Sequence, residues 1–438
     1  MIVSMLVMGL ITGFSFYLFI RNDLEAYLVF SLFVTTLAGF INRLMMYFFG
    51  DMTGLVQYLN ILLFIPLLFS AIGFYKQALK NKYTLAVFSF FIVVIIYGLI
   101  GLFNSVLGTV YDIATYWLFI SIILFCSFGK ININKFSRLL YKSILPLSLI
   151  ISIYGLIQYF LGPNAIDSFW MTSSEFSIIG IAAPLMVKTF SLTASPGHLA
   201  AFCLVSEIFL LSMLSAKFTA VKNKMLVFIT LSLLLAVLVV SGVRSVLVMY
   251  VVVALLFIFS RKGLKYGVVI LPLLTVGLMI AMGYAGVGYL DNILSRLDSF
   301  QGVFSGEDVS LNSRISTLRL VSGAILSNPM GYGLGMSGRY GVSEFTNIDN
   351  GYVELLYELG LPGLLSVIAF LILFLIKGFN SNSGYLYEKA CFYSALSLLG
   401  ILFLGNMLQL NIALYFCVFF GLFLNERIQK NQQFSDNT

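Results

Sequence analysis

Long apolar runs alternate with short polar segments along almost the whole chain. An α-helix of about 20 apolar residues crosses the roughly 30 Å of hydrocarbon in a bilayer. The pattern therefore predicts about thirteen membrane-spanning helices, at 2–20, 24–42, 54–75, 83–103, 106–128, 143–162, 194–215, 225–241, 245–260, 264–286, 352–376, 389–407 and 409–425. If one of the N-terminal runs does not cross the membrane, there are twelve spans. The pattern therefore does not determine on which side of the membrane the N-terminus lies.

Two longer polar segments, 163–193 and 287–350, interrupt this pattern. The chain contains no internal repeat and no linker that would separate a second domain. We therefore expect one all-α integral membrane domain over 1–438, in which the second segment forms a large, partly helical loop.

Within the large loop, 310–326 carries apolar residues near one helical face, which predicts an amphipathic helix capped by Ser310 or Asn312. Asn328-Pro329 predicts the end of that helix. The following glycines predict a backbone that turns tightly or approaches a ligand closely: Gly331, Gly333 and Gly335.

The composition is that of a polytopic membrane protein. Hydrophobic residues make up 60% of the chain and charged residues 10%, whereas soluble chains carry roughly 25% charge. The net charge of +7 does not indicate nucleic-acid binding, because the basic residues are spread over short loops, which membrane orientation explains better. The four cysteines lie in apolar runs without metal-binding spacing, which is typical of small buried hydrophobes. The first run, 2–20, lacks the features of a cleavable signal, so we expect a retained first span.

The basic residues predict the orientation of the spans. Of the 25 Lys and Arg, 18 fall in alternate loops or after the last span, which assigns those loops and the C-terminus to the cytoplasm. The other seven lie on the opposite side: Lys188 and six arginines, Arg43, Arg244, Arg296, Arg314, Arg319 and Arg339. Because the planar guanidinium group suits phosphate oxygens, we infer an anionic ligand on the outer face.

Three of these arginines have a local context that suits phosphate. Arg244 follows a turn that contains Gly242, and the exposed backbone N–H groups of such a turn form an anion site when a positive charge lies beside them. The alternative is that Arg244 only anchors the end of a helix. Arg314 and Arg319 lie five residues apart on the predicted loop helix. One is expected to face the ligand while the other pairs with an acid, and the alternative for both is a solvated helix surface.

Acidic residues cluster where the next span begins. Asp349 and Asn350 immediately precede a predicted helix, where such a pair commonly caps the N-terminus. Capping is compatible with catalysis, because a carboxylate near arginines at the mouth of a membrane cavity suits a general base. Glu354 and Glu358 follow one turn apart, and an ionisable group inside a span indicates function unless it pairs with an arginine of the loop.

Other polar residues in the spans carry weaker hypotheses. Asp112 and Glu207 lie within predicted spans and suggest function for the same reason. His198 is the single histidine; it follows Pro196-Gly197 and suits a helix-start residue as well as a ligand. With one histidine and no thiol cluster, a metal site is not expected.

Taken in order, these segments resemble the bacterial O-antigen polymerase and O-antigen ligase superfamily, whose polymerases are called Wzy-type. The stretches that carry the resemblance are Ser241 to Arg244 (Ser-x-x-Arg), Arg314 to Leu318 (Arg-x-x-x-Leu), Asn328 to Gly333 (Asn-Pro-x-Gly-x-Gly), and Asp349-Asn350 followed after nine residues by Gly360-Leu-Pro-Gly363. Asp349 stands where ligases carry His, which favours a polymerase. Lys188 stands where the family carries an Arg ahead of Pro196, and the resemblance spans about 188–363.

The resemblance implies a fold similar to the GT-C type of membrane glycosyltransferase. It also implies a metal-independent reaction on glycans linked to undecaprenyl pyrophosphate, with no cofactor, in a multi-pass protein of the bacterial inner membrane whose active site faces the periplasm. Asp349 is then the expected catalytic base, with Glu354 in support. The pyrophosphate is expected to contact Arg244, Arg314, Arg319 and Lys188, and the further site candidates are Asn350, His198 and Glu358.

The implied reaction moves the glycan from one carrier to the non-reducing end of a repeat unit on another. Its partners are the carrier-linked oligosaccharide, membrane lipid and a chain-length regulator protein, with no nucleic acid. An O-antigen ligase acting on lipid A-core or protein is one alternative, and a flippase for lipid-linked oligosaccharides is another. Against transport, the charge gathers at the outer boundary, whereas transporters place coupled charges at the midplane.

Overall fold

Fifteen helices make up the described part of the computed structural model, which covers 2–50, 58–173, 188–215, 224–259, 309–337, 348, 350–380, 386–401 and 410–425. In chain order they are α1 (Ile2–Ile20), α2 (Leu24–Phe49), α3 (Leu59–Ile72), α4 (Tyr75–Ala78), α5 (Lys82–Gly101), α6 (Val106–Phe128), α7 (Ile133–Leu161), α8 (Ala165–Ser173), α9 (Pro196–Ser215), α10 (Lys224–Val240), α11 (Arg244–Phe259), α12 (Val309–Ser327), α13 (Gly351–Asn380), α14 (Leu386–Ile401) and α15 (Leu410–Leu424). Lipid offers no hydrogen-bonding partner to the backbone, so each apolar run pairs its own N–H and C=O groups within a helix.

The protein is an all-α polytopic membrane protein. Seven of the described helices are long and apolar enough to cross a membrane, and five shorter helices are also apolar. A helix occupies the place of every predicted span except 264–286, which lies outside the described residues. Both N-terminal runs are present, because α1 and α2 are separate helices that pack against each other.

Some predicted boundaries are wrong in detail, among them the starts of α7 and of the loop helix. α7 begins at Ile133 rather than at 143, because Asn132 caps it with a side chain that accepts from the N–H groups of Asn134 and Lys135, each at 3.1 Å. A capped helix continues through polar residues that lie beyond the hydrocarbon, which hydropathy alone does not reveal. The loop helix is confirmed as α12, but it begins at Val309, so neither predicted capping residue stands at its start.

Two ion pairs mark the opposite ends of the helix bundle. At one end Lys135 Nζ lies 2.8 Å from Asp23 Oδ1, which holds the pKa of the Asp23 carboxyl below its ordinary value. We call this the Asp23 end. At the other end Arg43, near the end of α2, pairs with Asp167 of α8, and we call it the Arg43 end.

The helix connections alternate between these two ends, as the predicted orientation requires. The side chain of Asn425, just after α15, donates to the Cys126 carbonyl at 2.8 Å, so α15 and α6 finish together at the Asp23 end. The turn between α5 and α6 therefore lies at the Arg43 end. Lys82, at the start of α5, lies at the same end as Lys135, in agreement with the assignment of their loops to one side.

One apolar core runs through most of the bundle. Within it α6 packs against α3 and α15, α9 against α10 and α14, α7 against α2 and α10, and α13 against α5. The four cysteines are buried and free, as predicted. A separate small cluster joins α12 to the start of α13 through Val321, Ile348 and Tyr357, and this contact places α12 at the Arg43 end.

Candidate active site

The three glycines after α12 let the chain lie directly on other backbone, Gly331 on α13 and Gly333 and Gly335 on the turn between α5 and α6. Gly331, Gly333 and Gly335 have φ values of 86°, 96° and 75°, which glycine adopts readily and other residues do not. A Cβ on Gly333 would lie 2.7 Å from the backbone nitrogen of Gly101, and one on Gly335 would lie 2.2 Å from that of Thr109. The predicted tight turn is confirmed, and the close neighbour of these glycines is the protein's own backbone.

The same loop pairs with α13 where that helix is interrupted. Gly360 has φ 60° and ψ −162°, which is not helical. Around it the N–H of Gly333 donates to the Glu358 carbonyl at 3.0 Å, and the N–H of Leu361 donates to the Pro329 carbonyl at 2.9 Å. We call this contact between 328–335 and Gly360 the Gly360 joint. It brings two stretches of the family resemblance into backbone contact.

Asn350 caps α13. Its side-chain oxygen accepts from the N–H groups of Tyr352 at 3.0 Å and Val353 at 3.2 Å. These bonds satisfy two of the backbone donors that a helix leaves unpaired at its start. The capping role is confirmed, whereas Asp349 lies outside the described residues.

We expect Asn350→Ala to lower the free energy of unfolding by about 1 kcal/mol, because both capping bonds are lost. Asn350→Ser keeps an acceptor at the cap and should retain most of that stability. Thermal unfolding of the purified protein in mild detergent measures the difference. Equal losses in the two variants would contradict a role confined to capping.

Two buried carboxyl groups share a serine just beyond this cap. Glu354 is 6% exposed and Glu358 is 3% exposed. The N–H of Ser337 donates to Glu358 Oε1 at 2.9 Å, and Ser337 Oγ lies 2.8 Å from that oxygen and 3.3 Å from Glu354 Oε1. The end of the glycine-containing loop therefore fixes the position of both predicted site residues.

One face of α6 adds two polar side chains to this group. Gly108, Asp112 and Tyr116 are spaced four apart and share that face, and a Cβ on Gly108 would lie 2.7 Å from the Gly335 carbonyl oxygen. Asp112 and Tyr116 both interact electrostatically with Glu358. The buried Tyr116 hydroxyl has no hydrogen-bond partner among the described residues. Tyr116 was not a sequence candidate, although its helical spacing from Asp112 was the available signal.

His198 and Lys188 belong to the connection that enters α9. Ser195 Oγ accepts from the N–H of His198 at 3.3 Å and lies 2.6 Å from His198 Nδ1, while Pro196 occupies the first helical position. The position of His198 at a helix start is confirmed, and its role as a ligand stays a prediction. Lys188 lies earlier in the connection and is exposed.

Arg43 does not belong with the ligand-binding cations. α2 continues to Phe49, so Arg43 lies inside a helix rather than in a loop, and it is 1% exposed. Its guanidinium group pairs with Asp167. The inference of a shared anionic ligand is therefore wrong for Arg43, because a buried acid already neutralises its charge.

The other phosphate-binding candidates lie on two helices. The predicted turn before Arg244 is confirmed: Gly242 has φ 70°, and Ser241 Oγ donates to the Leu238 carbonyl at 2.7 Å. Arg244 then begins α11, and Arg314 lies within α12. The side chains of these two arginines lie outside the described ones. Arg319 is exposed on α12.

The end of α10 and the connection that carries Lys188 pack against the same glycine of α7. A Cβ on Gly155 would lie 3.4 Å from Ser191 Cβ and 3.2 Å from Val237 Cγ1. Val237 belongs to the last turn of α10, where its carbonyl accepts from the N–H of Ser241 at 2.9 Å, in the turn before Arg244. Two segments with phosphate-binding candidates thus lie against one part of α7 at the Arg43 end.

The end of α14 lies between the start of α13 and the start of α11. The Tyr352 hydroxyl donates to the Leu399 carbonyl at 3.4 Å. The neighbouring Gly400 packs so closely against Met249 of α11 that a Cβ there would lie 2.4 Å from its sulfur. The end of α14 therefore separates the Asn350 cap from the first turns of α11.

Much of this region matches a known protein family. Residues 229–368, about a third of the chain, match the family model described as O-antigen ligase. The match contains the Gly242 turn, α12, the Gly360 joint, Glu354 and Glu358, while Lys188 and Asp112 lie outside it. A search of curated proteins found no match. The family model does not distinguish ligases from polymerases, and over this segment the chain is similar to the O-antigen ligase and polymerase superfamily.

Proposed function

We propose that the protein is an O-antigen polymerase that extends a surface polysaccharide at the periplasmic face of the bacterial inner membrane. It transfers a glycan from one undecaprenyl pyrophosphate carrier to the non-reducing end of a repeat unit on another. In this proposal it is a metal-independent glycosyltransferase with a GT-C-like fold, and a chain-length regulator protein is its partner.

The observation that carries this proposal is the Gly360 joint. It ties the loop after α12 to the part of α13 that holds Glu354 and Glu358, one and two turns beyond the Asn350 cap. Asp349 directly precedes that cap in sequence. A catalytic base at this position is attached to a constrained helix start, which is the kind of support that precise proton transfer requires.

The reaction assigns a task to each group. The acceptor hydroxyl attacks the anomeric carbon of the donor sugar, the bond from that carbon to the pyrophosphate oxygen breaks, and the pyrophosphate leaves with the electron pair. Asp349 takes the proton of the hydroxyl, and Glu354 supports it. The charge on the leaving group is stabilised by Arg244, Arg314, Arg319 and Lys188.

A deletion strain complemented with single variants tests the proposal. We expect Arg244→Ala and Asp349→Asn each to remove long-chain ladders from surface polysaccharide resolved on a gel, while a single repeat unit on the core persists. Arg138→Ala, an exposed arginine of α7 near the Asp23 end, is the matched control and should leave the ladder intact. Normal ladders in both test variants, at wild-type protein levels, would remove these residues from the mechanism.

A ligase is the second candidate, because the matching family model is described as O-antigen ligase. It would transfer the glycan to lipid A-core or to protein. The same gels separate the two candidates, since loss of ligation also removes the single repeat from the core. Asp349 in place of the ligase histidine favours the polymerase.

A further inference from the structure

A buried ion pair is hydrogen-bonded to the backbone of the connection that carries Lys188. Arg43 of α2 pairs with Asp167 of α8, and both side chains are almost completely buried, at 0% and 1% exposure. The second guanidinium nitrogen, Nη2, donates to the carbonyl of Ser191 at 2.5 Å and to that of Thr193 at 3.2 Å. Arg43 therefore fixes two points of the backbone just after Lys188.

Gln158 of α7 binds the N–H groups of the same connection, whereas Arg43 binds its carbonyl groups. Its Oε1 accepts from the N–H groups of Phe190 and Ser191, each at 3.0 Å. Its Nε2 donates to Asp167 Oδ2 at 2.9 Å, and the Tyr154 hydroxyl donates to that oxygen at 2.7 Å. The amide of Gln158 thus connects the held backbone to the ion pair.

The held backbone has a conformation that it would not adopt alone. Ser191 has φ 48°, in the left-handed region that non-glycine residues rarely occupy. Such a conformation persists where the surroundings impose it, and it clusters at functional sites. Here the surroundings are the groups described above, together with the Ile151 carbonyl, which accepts from Ser191 Oγ at 2.6 Å.

Stability alone does not account for this arrangement. Burying two opposite charges costs desolvation energy that the ion pair roughly repays, so apolar side chains of similar volume would anchor a loop at least as well. A charged network instead fixes one orientation of the backbone. The orientation it fixes places Ser191 against Gly155 of α7, which also contacts the last turn of α10 just before the turn that leads to Arg244.

We propose that Arg43, Gln158 and Asp167 are positioning residues that hold Lys188 beside the Arg244 turn, so that both cations meet one lipid-linked diphosphate. This inference rests on the proposed function, because that function supplies the diphosphate. It assigns a role to residues that lie outside the family match, on α2, α7 and α8. None of the three touches the substrate itself.

A double-mutant cycle on the full-length protein in nanodiscs tests the proposal, with undecaprenyl pyrophosphate as the probe. Gln158→Met and Lys188→Ala should each raise the Kd for the probe about ten-fold. The double variant should bind no more weakly than Lys188→Ala, because Gln158 acts through Lys188. Tyr27→Phe removes a buried hydrogen bond to the Leu63 carbonyl elsewhere in the bundle, and it should leave the Kd unchanged.

The outcomes separate this inference from the proposed function. Additive effects of the two substitutions, or an unchanged Kd in Gln158→Met, would overturn the positioning role. An unchanged Kd in Lys188→Ala together with weaker binding in Arg244→Ala would also overturn the positioning role, but would leave the proposed diphosphate site intact. Unchanged Kd values in both Lys188→Ala and Arg244→Ala would overturn the positioning role and the diphosphate site together. If Gln158→Met does not fold, Tyr154→Phe removes one bond to Asp167 and replaces it in the cycle.

Discussion

Replacing Asp167 with alanine is expected to lower the free energy of unfolding by roughly 3–5 kcal/mol. Its carboxylate receives hydrogen bonds from Arg43, Tyr154 and Gln158, and its side chain is 1% exposed. Without it the buried guanidinium group has lost its counter-charge, and the low dielectric of the interior makes that costly. Unfolding the purified protein in mild detergent, by heat or by denaturant, measures this loss of stability.

Two comparisons make this prediction specific. Lys135→Ala breaks an ion pair at the Asp23 end whose lysine is 48% exposed, and it should cost at most about 1 kcal/mol because water screens that pair. Replacing both buried partners, as Arg43→Met with Asp167→Leu, should recover most of the stability lost by Asp167→Ala, since no unpaired charge is left. A similar loss in Asp167→Ala and Lys135→Ala would contradict the buried pair.

Replacing Gly360 with alanine is expected to disrupt the Gly360 joint. A side chain at φ 60° and ψ −162°, a region that essentially only glycine occupies, costs about 1–3 kcal/mol. The added Cβ would also lie 2.3 Å from the carbonyl carbon of Met330 and 2.6 Å from the nitrogen of Gly331, and these backbone atoms cannot rotate away. Together with overpacking this gives a loss of roughly 2–6 kcal/mol.

Under the proposed function, Gly360→Ala should also remove long-chain polymer, because Glu354 and Glu358 are held by the loop that the joint fixes. The matched control is Gly323→Ala in α12, where a Cβ would meet nothing within 4 Å. That variant should be neutral or slightly stabilising. Unfolding measurements and polysaccharide gels on the two variants test both expectations, and wild-type stability in Gly360→Ala would rule out a tightly packed joint.

Features that depend on neighbours in the chain could be predicted from the sequence. Hydropathy located the described spans, and apolar spacing located α12. Local chemistry predicted the Gly242 turn and the Asn350 cap, because a glycine with positive φ and a side chain bonded to the next N–H groups each need only a few residues. Boundaries were less certain, since a capped helix such as α7 extends past the apolar run.

The partners of polar groups could not be predicted in this way. Arg43 was grouped with the ligand-binding arginines on the basis of its side of the membrane, whereas its partner Asp167 lies 124 residues away. The glycines after α12 were predicted to turn tightly, but nothing local indicated that Gly360 and the α5–α6 turn were the surfaces they meet. The spacing of Tyr116 from Asp112 places both on one face of α6, but only the tertiary structure shows that this face lies beside Glu358.

The sequence by itself determined that this protein is a bundle of membrane-spanning helices with a partly helical loop, because preference for lipid is a property of each residue and its near neighbours. Only the tertiary structure decided that one outer arginine is neutralised by a buried acid and that Ser337 joins Glu354 to Glu358. Those outcomes depend on which helix faces come together, and the electrostatic and packing energies that select them are set between residues far apart in the chain.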